Sequence, residues 1–220
     1  GISITGTGQL TGASTIDVVD PVTITGPGGM TANGTATVNG GTFDGATIDG
    51  SGTLNLNDTI NISGATNINT TTLNWDGNGS TTVLAAGSTL SINSSVIDDE
   101  ADGFDGTVTL ADNSTLTVNT TGDWTHEGVI NLNDGASISG SKMIVGSDSG
   151  TVNALTGTST LNQDLDLGSG TNVVVSTGAT LELPGTNVTF HGGGSYTGGG
   201  TISPDGATLM FESGTTTITV

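Results

Sequence analysis

The side chains in this 220-residue sequence best placed to do chemistry lie in Asp98-Asp99-Glu100-Ala101-Asp102-Gly103-Phe104-Asp105-Gly106. Asp98, Glu100 and Asp102, followed by Gly103, have the 1, 3, 5, 6 spacing at which alternating oxygens converge on a hard cation while glycine permits a sharp turn. With Asp105 they form a candidate Ca²⁺ site. The pattern departs from the helix-flanked calcium loop: position 3 is Glu100, and position 12 is Thr109 in place of a bidentate Glu. The plainer reading is a solvated acidic loop between structural elements. The calcium-folded nonapeptide G-G-x-G-x-D is absent.

Other chemistry has thinner support. His191-Gly192-Gly193-Gly194 matches the oxyanion-hole HGGG, but that motif needs a G-x-S-x-G nucleophile elbow, and Gly146–Gly150 places Asp148 where the serine would stand. His126, in Gly-Asp-Trp-Thr-His-Glu-Gly, is expected on an exposed turn. With only two histidines and no cysteine, a structural zinc site is not expected. Trp75 and Trp124 stand among polar turn residues, where an exposed indole could stack on a sugar ring; the alternative is that they fill the interior or a corner.

Twenty-one acidic residues face one base, Lys142, for a net charge of −20. Phosphate recognition needs Lys and Arg, so nucleic acid and anionic membrane surfaces are excluded as partners. The same field favours cations and a salty medium. Absence of Cys leans towards bacterial surface proteins. No apolar run approaches a membrane span, so no direct membrane insertion is expected, and any signal or anchor is expected outside these residues.

The elements that must position these residues come from an internal repeat. LADNSTLTV (Leu110 to Val118), LNDGASIS (Leu132 to Ser139) and VSTGATLEL (Val175 to Leu183) share an apolar residue, a Gly or Asn turn, and a second strand with apolar residues at alternate positions. Looser copies start at Leu84, Ile48 and Ile24. ISGATNI at Ile62 fits the one long gap, while SPDGATLMF at Ser203 and LTGTSTLNQ at Leu155 are degenerate. Each unit reads as strand, tight turn, strand. Gly135, Gly178, Gly206 and Asn113 supply positive φ at the turn. One unit cannot bury its apolar face alone, but stacked coils can. The pattern predicts an all-β, right-handed, single-stranded parallel β-helix (a β-solenoid) over residues 1–220, with about nine or ten coils of roughly 23 residues and three strands per coil.

Segments such as NSTLTVNTTGDWTHEGVINLNDGASISG and TNVVVSTGATLELPG resemble the repeats of autotransporter passengers and related bacterial surface adhesins. The resemblance covers residues 20 to 212, and its motifs are low in information. It implies a parallel β-helix displayed outside the cell, as one segment of a longer repetitive protein. The expected role is an extracellular stalk or adhesin segment. Its partners would be a glycan or surface receptor, or other copies in end-to-end association. The alternatives are a carbohydrate- or calcium-binding module and, after it, a polysaccharide-active enzyme. The N-T-D, G-H-G and R-I-K signatures of polygalacturonase-like β-helices are missing, and so is any Arg for lyase-type proton abstraction. No catalytic residue is therefore assigned.

The acidic stretch makes one direct prediction. If the stretch holds the cation, calcium added to about 1 mM releases a binding heat in titration calorimetry that the Asp102→Asn chain loses. Absence of heat over that range would leave only a solvated loop.

Overall fold

The structure, a computed structural model, describes residues 2–5, 9–12, 16–18, 22–26, 29–75, 80–98, 106–146, 150–212 and 217–218. Among them there is no helix, and every strand pairing is parallel. The chain is a β-solenoid whose turn number is close to the expectation.

Each coil contributes strands to three faces. The first face runs from Ile2–Thr5 through Val22–Thr25, Thr81–Leu84 and Thr107–Leu110 to Thr217–Ile218. The second includes Gln9–Gly12, Gly29–Ala32, Thr89–Ile92, Thr115–Val118 and Thr201–Ser203. The third begins at Ile16–Val18 and continues to Val96–Asp98. Beyond that strand, among the described residues, it continues as a separate five-stranded sheet from Trp124–His126 to Thr208–Phe211. Partners in adjacent coils lie between 18 residues apart (Gly29↔Thr47) and 26 residues apart (Thr81↔Thr107).

The repeat unit folds as its sequence dictates. In LADNSTLTV, Thr107–Leu110 and Thr115–Val118 are the strands, and Asn113 between them has φ 57°. Within the turn Ser114 N–H donates to Ala111 O at 3.1 Å, and Asn113 N–H donates to Asp134 O of the next coil at 2.8 Å. The equivalent Gly135 donates to Thr158 O at 2.7 Å. The left-handed residue therefore lets the turn close and also turns its N–H onto the neighbouring coil. Leu90, Ile92, Leu116, Val118, Leu181 and Leu183 are all buried, as their alternation requires. Burying each such side chain favours folding by roughly 2 kcal/mol.

Two features differ from the expectation. Residues 35–75 do not use a tight turn at every corner: Thr35–Asp44, Thr47–Ser63 and Ala65–Trp75 bend around corners as continuous strands. The pairing shifts register at Asn39/Gly41 and Gly50/Thr53, where one chain has an extra residue. The sequence copies also do not all occupy one corner. LADNSTLTV joins the first face to the second, whereas the copies at Ile48 and Ser203 join the second to the third. The uneven spacing of the copies comes from this mixing of two corners.

On the outside, asparagines stack in register. Asn69 Nδ2 donates to Asp49 Oδ1 at 2.7 Å, Asn93 to Asn69 at 2.9 Å and Asn119 to Asn93 at 2.8 Å. A second ladder links Thr37, Asn55 and Asn74 at 3.0 and 2.8 Å. A third links Thr109, Asn131 and Asn153 at 3.3 and 2.9 Å. The inner amides Asn55, Asn69, Asn93 and Asn131 each donate to one coil and accept from the other, using both ends of the side-chain amide.

Two glycines separate backbone strain from steric exclusion. Gly178 has φ 82°, and a Cβ there would meet nothing within 4 Å, so Gly178→Ala should cost only the left-handed penalty of about 1–2 kcal/mol. Gly140 has φ 121°, and a Cβ there would lie 2.0 Å from Val118 O in the adjacent coil. Gly140→Ala should therefore cost clearly more, about 3 kcal/mol or above. Urea denaturation of the two variants provides the test, and equal losses would contradict this account.

Candidate functional site

The five-stranded sheet carries the densest set of charged groups among the described residues. Its strands Trp124–His126, Met143–Val145, Leu165–Leu167, Asn187–Phe190 and Thr208–Phe211 pair in that order. Alternation sends one set of side chains inward and leaves Thr125, Ile144, Asp166 and Thr189 outside. Residues flanking these strands complete a column along the rod: Asp123, Lys142, Asp166, His191 and Glu212, one per coil.

Acids alternate with nitrogen-bearing side chains along that column. Lys142 Nζ lies 3.5 Å from Asp123 Oδ2 and 3.3 Å from Asp166 Oδ2. His191 Nε2 lies 2.6 Å from Asp166 Oδ1, and its Nδ1 lies 2.9 Å from Glu212 Oε2. The only lysine and one of the two histidines thus stand between three acids. Desolvation works against the Lys142 charge, but the hydrogen bond and charge of Asp166, with the charge of Asp123, outweigh it and hold the ammonium above its ordinary range. Beside the column, the Asn187 backbone N–H and then its side-chain amide, at 2.8 and 3.1 Å, hold Asp164 below the usual carboxylate range.

A shallow surface groove borders this column, lined by Thr125, Glu127, Ile144, Asp166, Ser169 and His191. Two of its groups, Asp166 and His191, are bonded to each other. Both ring nitrogens of His191 contact carboxylates, which leaves neither to serve a nucleophile, and Lys142 is shared between two acids. The geometry ties successive coils together across the third face. Each exposed pair stabilises by no more than about 1 kcal/mol. Among the described residues no group of three or more His, Asp or Glu side chains is arranged to hold a metal ion.

The residues singled out from sequence fall differently. Asp98 closes the strand Val96–Asp98; Glu100, Asp102 and Asp105 lie outside the described residues, as does the Asp98 side chain. Trp75 and Trp124 are 1% and 2% exposed. Trp75 pairs with Leu56 in the adjacent coil and donates its indole N–H to the buried Thr82 Oγ1 at 2.9 Å. Trp124 starts an inward column with Met143 and Leu165. Sugar stacking requires an exposed indole face, and neither ring presents one; both fill the interior, the alternative recognised from sequence.

His126 corrects a second expectation. It is fully buried, not on an exposed turn, and shares a column with Val145, Leu167 and Phe190. Its neighbours Asp123 and Glu127 made the segment look like a turn, and the W-x-H alternation was the signal for a strand. The HGGG at His191 forms a corner in which Gly193 has φ 97°, and His191 binds Asp166 and Glu212. The alternating column itself had no local signature, because its members are 19 to 25 residues apart and become neighbours only through coil register.

Comparison with protein-family models, with curated proteins and with solved structures finds no match.

The buried histidine sets an acid limit. Burial depresses its pKa from 6.5 to about 3, against a smaller upward effect of its hydrogen bond to the Gly128 backbone. Between those values the unfolded chain binds a proton that the folded chain refuses, so stability is retained above pH 6.5 and lost as pH falls. The loss should approach about 1.4 kcal/mol per pH unit over that window. His126→Leu, which suits its apolar column, should flatten the dependence in urea melts at pH 7, 5.5 and 4.5. An unchanged pH slope would refute the assignment.

Proposed function

We propose that this chain is a rigid scaffold segment of an extracellular bacterial surface protein, a stalk that holds an adhesive region away from the cell. The observation that carries the reading is the continuity of the parallel ladders on the first two faces. A rod built this way resists bending because each coil is hydrogen-bonded to the next on those two faces along its length. With strands about 4.8 Å apart, nine or ten coils reach roughly 45 Å. The acidic, Lys-poor exterior supports the same reading, since like charge keeps neighbouring rods from adhering along their sides.

The enzymatic alternative lacks a specific observation in its favour. On the third face Asp166 is bonded to Lys142 and His191, and the two histidines are respectively buried and held between carboxylates. The scaffold is therefore proposed without a catalytic function. Its surface location rests on the sequence resemblance and on the acidic, Cys-free composition. A glycan or surface receptor would engage the protein through parts other than the two buried tryptophans.

Small-angle scattering from the dilute chain is expected to give a rod-shaped distance distribution with a maximum dimension of about 45 Å or slightly more. Incubation with a panel of plant, bacterial and animal polysaccharides is expected to release no reducing sugar. Sustained release would replace the scaffold reading with an enzymatic one, and a compact isotropic profile would remove the stalk mechanism.

A further inference from the structure

We propose that Asn33 is a site of spontaneous covalent modification: its side chain closes onto the Gly34 nitrogen, loses ammonia and leaves aspartate or isoaspartate in its place. An Asn-Gly pair has the right chemistry. Glycine carries no side chain to shield its backbone nitrogen, and its freedom of rotation lets that nitrogen reach the asparagine side-chain carbon. The sequence holds three such pairs, Asn33-Gly34, Asn39-Gly40 and Asn78-Gly79, of which the last lies outside the described residues. The fold separates the other two.

Asn33 and Gly34 form the corner between Gly29–Ala32 on the second face and Thr35–Asp44, which begins on the third. Asn33 is exposed there and lies outside both strands. Its Oδ1 accepts from the Ser51 backbone N–H of the next coil at 3.4 Å. That donor polarises the side-chain carbonyl and stabilises the charge that develops on Oδ1 as the Gly34 nitrogen adds to Cγ. Asn39, by contrast, is held at both ends of its amide. Its Nδ2 donates to Val18 O at 3.3 Å, and its Oδ1 accepts from Asn57 Nδ2 at 2.8 Å. It lies within Thr35–Asp44, paired with Asn57, and Gly40 beside it is buried. Ring closure at Asn39 requires those bonds to open first.

The steps balance with water as the only co-reactant. The Gly34 nitrogen bonds to Asn33 Cγ and gives up its proton, the Cγ–Nδ2 bond breaks, and ammonia departs, leaving a five-membered imide. Water then opens the ring on either side of the imide nitrogen. Breaking the new bond restores the backbone with an aspartate. Breaking the old peptide bond leaves isoaspartate, whose backbone is one atom longer. Either product adds a negative charge at this corner. The longer one also strains a close contact: Gly34 O accepts from Thr53 N–H at 2.9 Å, and a Cβ on Gly52 would lie 1.9 Å from that oxygen.

The test incubates the folded chain, and the same chain in concentrated guanidinium chloride, in mildly alkaline buffer. Both are then digested, and mass spectrometry follows amide-to-acid conversion at each asparagine, with electron-transfer fragmentation distinguishing isoaspartate from aspartate. In the folded chain Asn33 is expected to convert at least about tenfold faster than Asn39, because the hydrogen bonds holding the second amide must open first. In denaturant the two are expected to convert at similar rates, since only local sequence then governs them. The products at position 33 should include isoaspartate as well as aspartate, the signature of a ring intermediate. An Asn33 that stays intact in the folded chain, equal or faster conversion of Asn39 there, or aspartate without any isoaspartate would each overturn the proposal.

Discussion

Everything in this chain depends on one constraint: an inward side chain can be buried only by the equivalent side chains of the coils on either side. With aromatics at 3% of the sequence, no single coil holds enough apolar surface to make a core of its own. Register therefore does the work that size does in a globular core. The column His126, Val145, Leu167, Phe190 and Phe211 shows how tolerant the arrangement is of residue type, provided that the position points inward. It admits even a histidine, at the cost of keeping it uncharged.

The outside obeys the same register with different chemistry. An inner Asn of a ladder, such as Asn55, Asn93 or Asn131, is bonded to the coil before and the coil after, so the exposed faces gain hydrogen bonds largely without ionisable groups. That economy lets the protein dispense with cations almost entirely. Where acids meet at coil-to-coil distance, on the third face, nitrogen-bearing side chains stand between them: Lys142 and His191 separate Asp123, Asp166 and Glu212. Without those two side chains, acids would face one another along that column.

How much of this was legible in the sequence follows from the range of the interactions. The turn of LADNSTLTV is local, so its strands, its left-handed Asn113 and its inward Leu116 and Val118 could be read directly. The solenoid could be read because the unit recurs. Corner identity could not: the copy at Ile48 has the same local pattern as the one at Leu110, and only pairing across 18 or more residues assigns it to a different corner. Nor could the fate of Trp124 and His126, since Asp123 and Glu127 around them imitate a turn. The charge column was hidden for the same reason as the corners, and Glu212 meets His191 only because Phe211 pairs with Phe190.

A scaffold in which each coil satisfies its neighbours has little free chemistry along its length, so binding activity must come from departures from the repeat. Two such departures coincide. The longest step between paired strands of the first face, from Thr81 to Thr107, contains the acidic stretch 98–105. The third face also changes sheets there, between Val96–Asp98 and Trp124–His126, among the described residues. At such a break the coil-to-coil pairing that commits polar groups on the regular faces to their neighbours is interrupted.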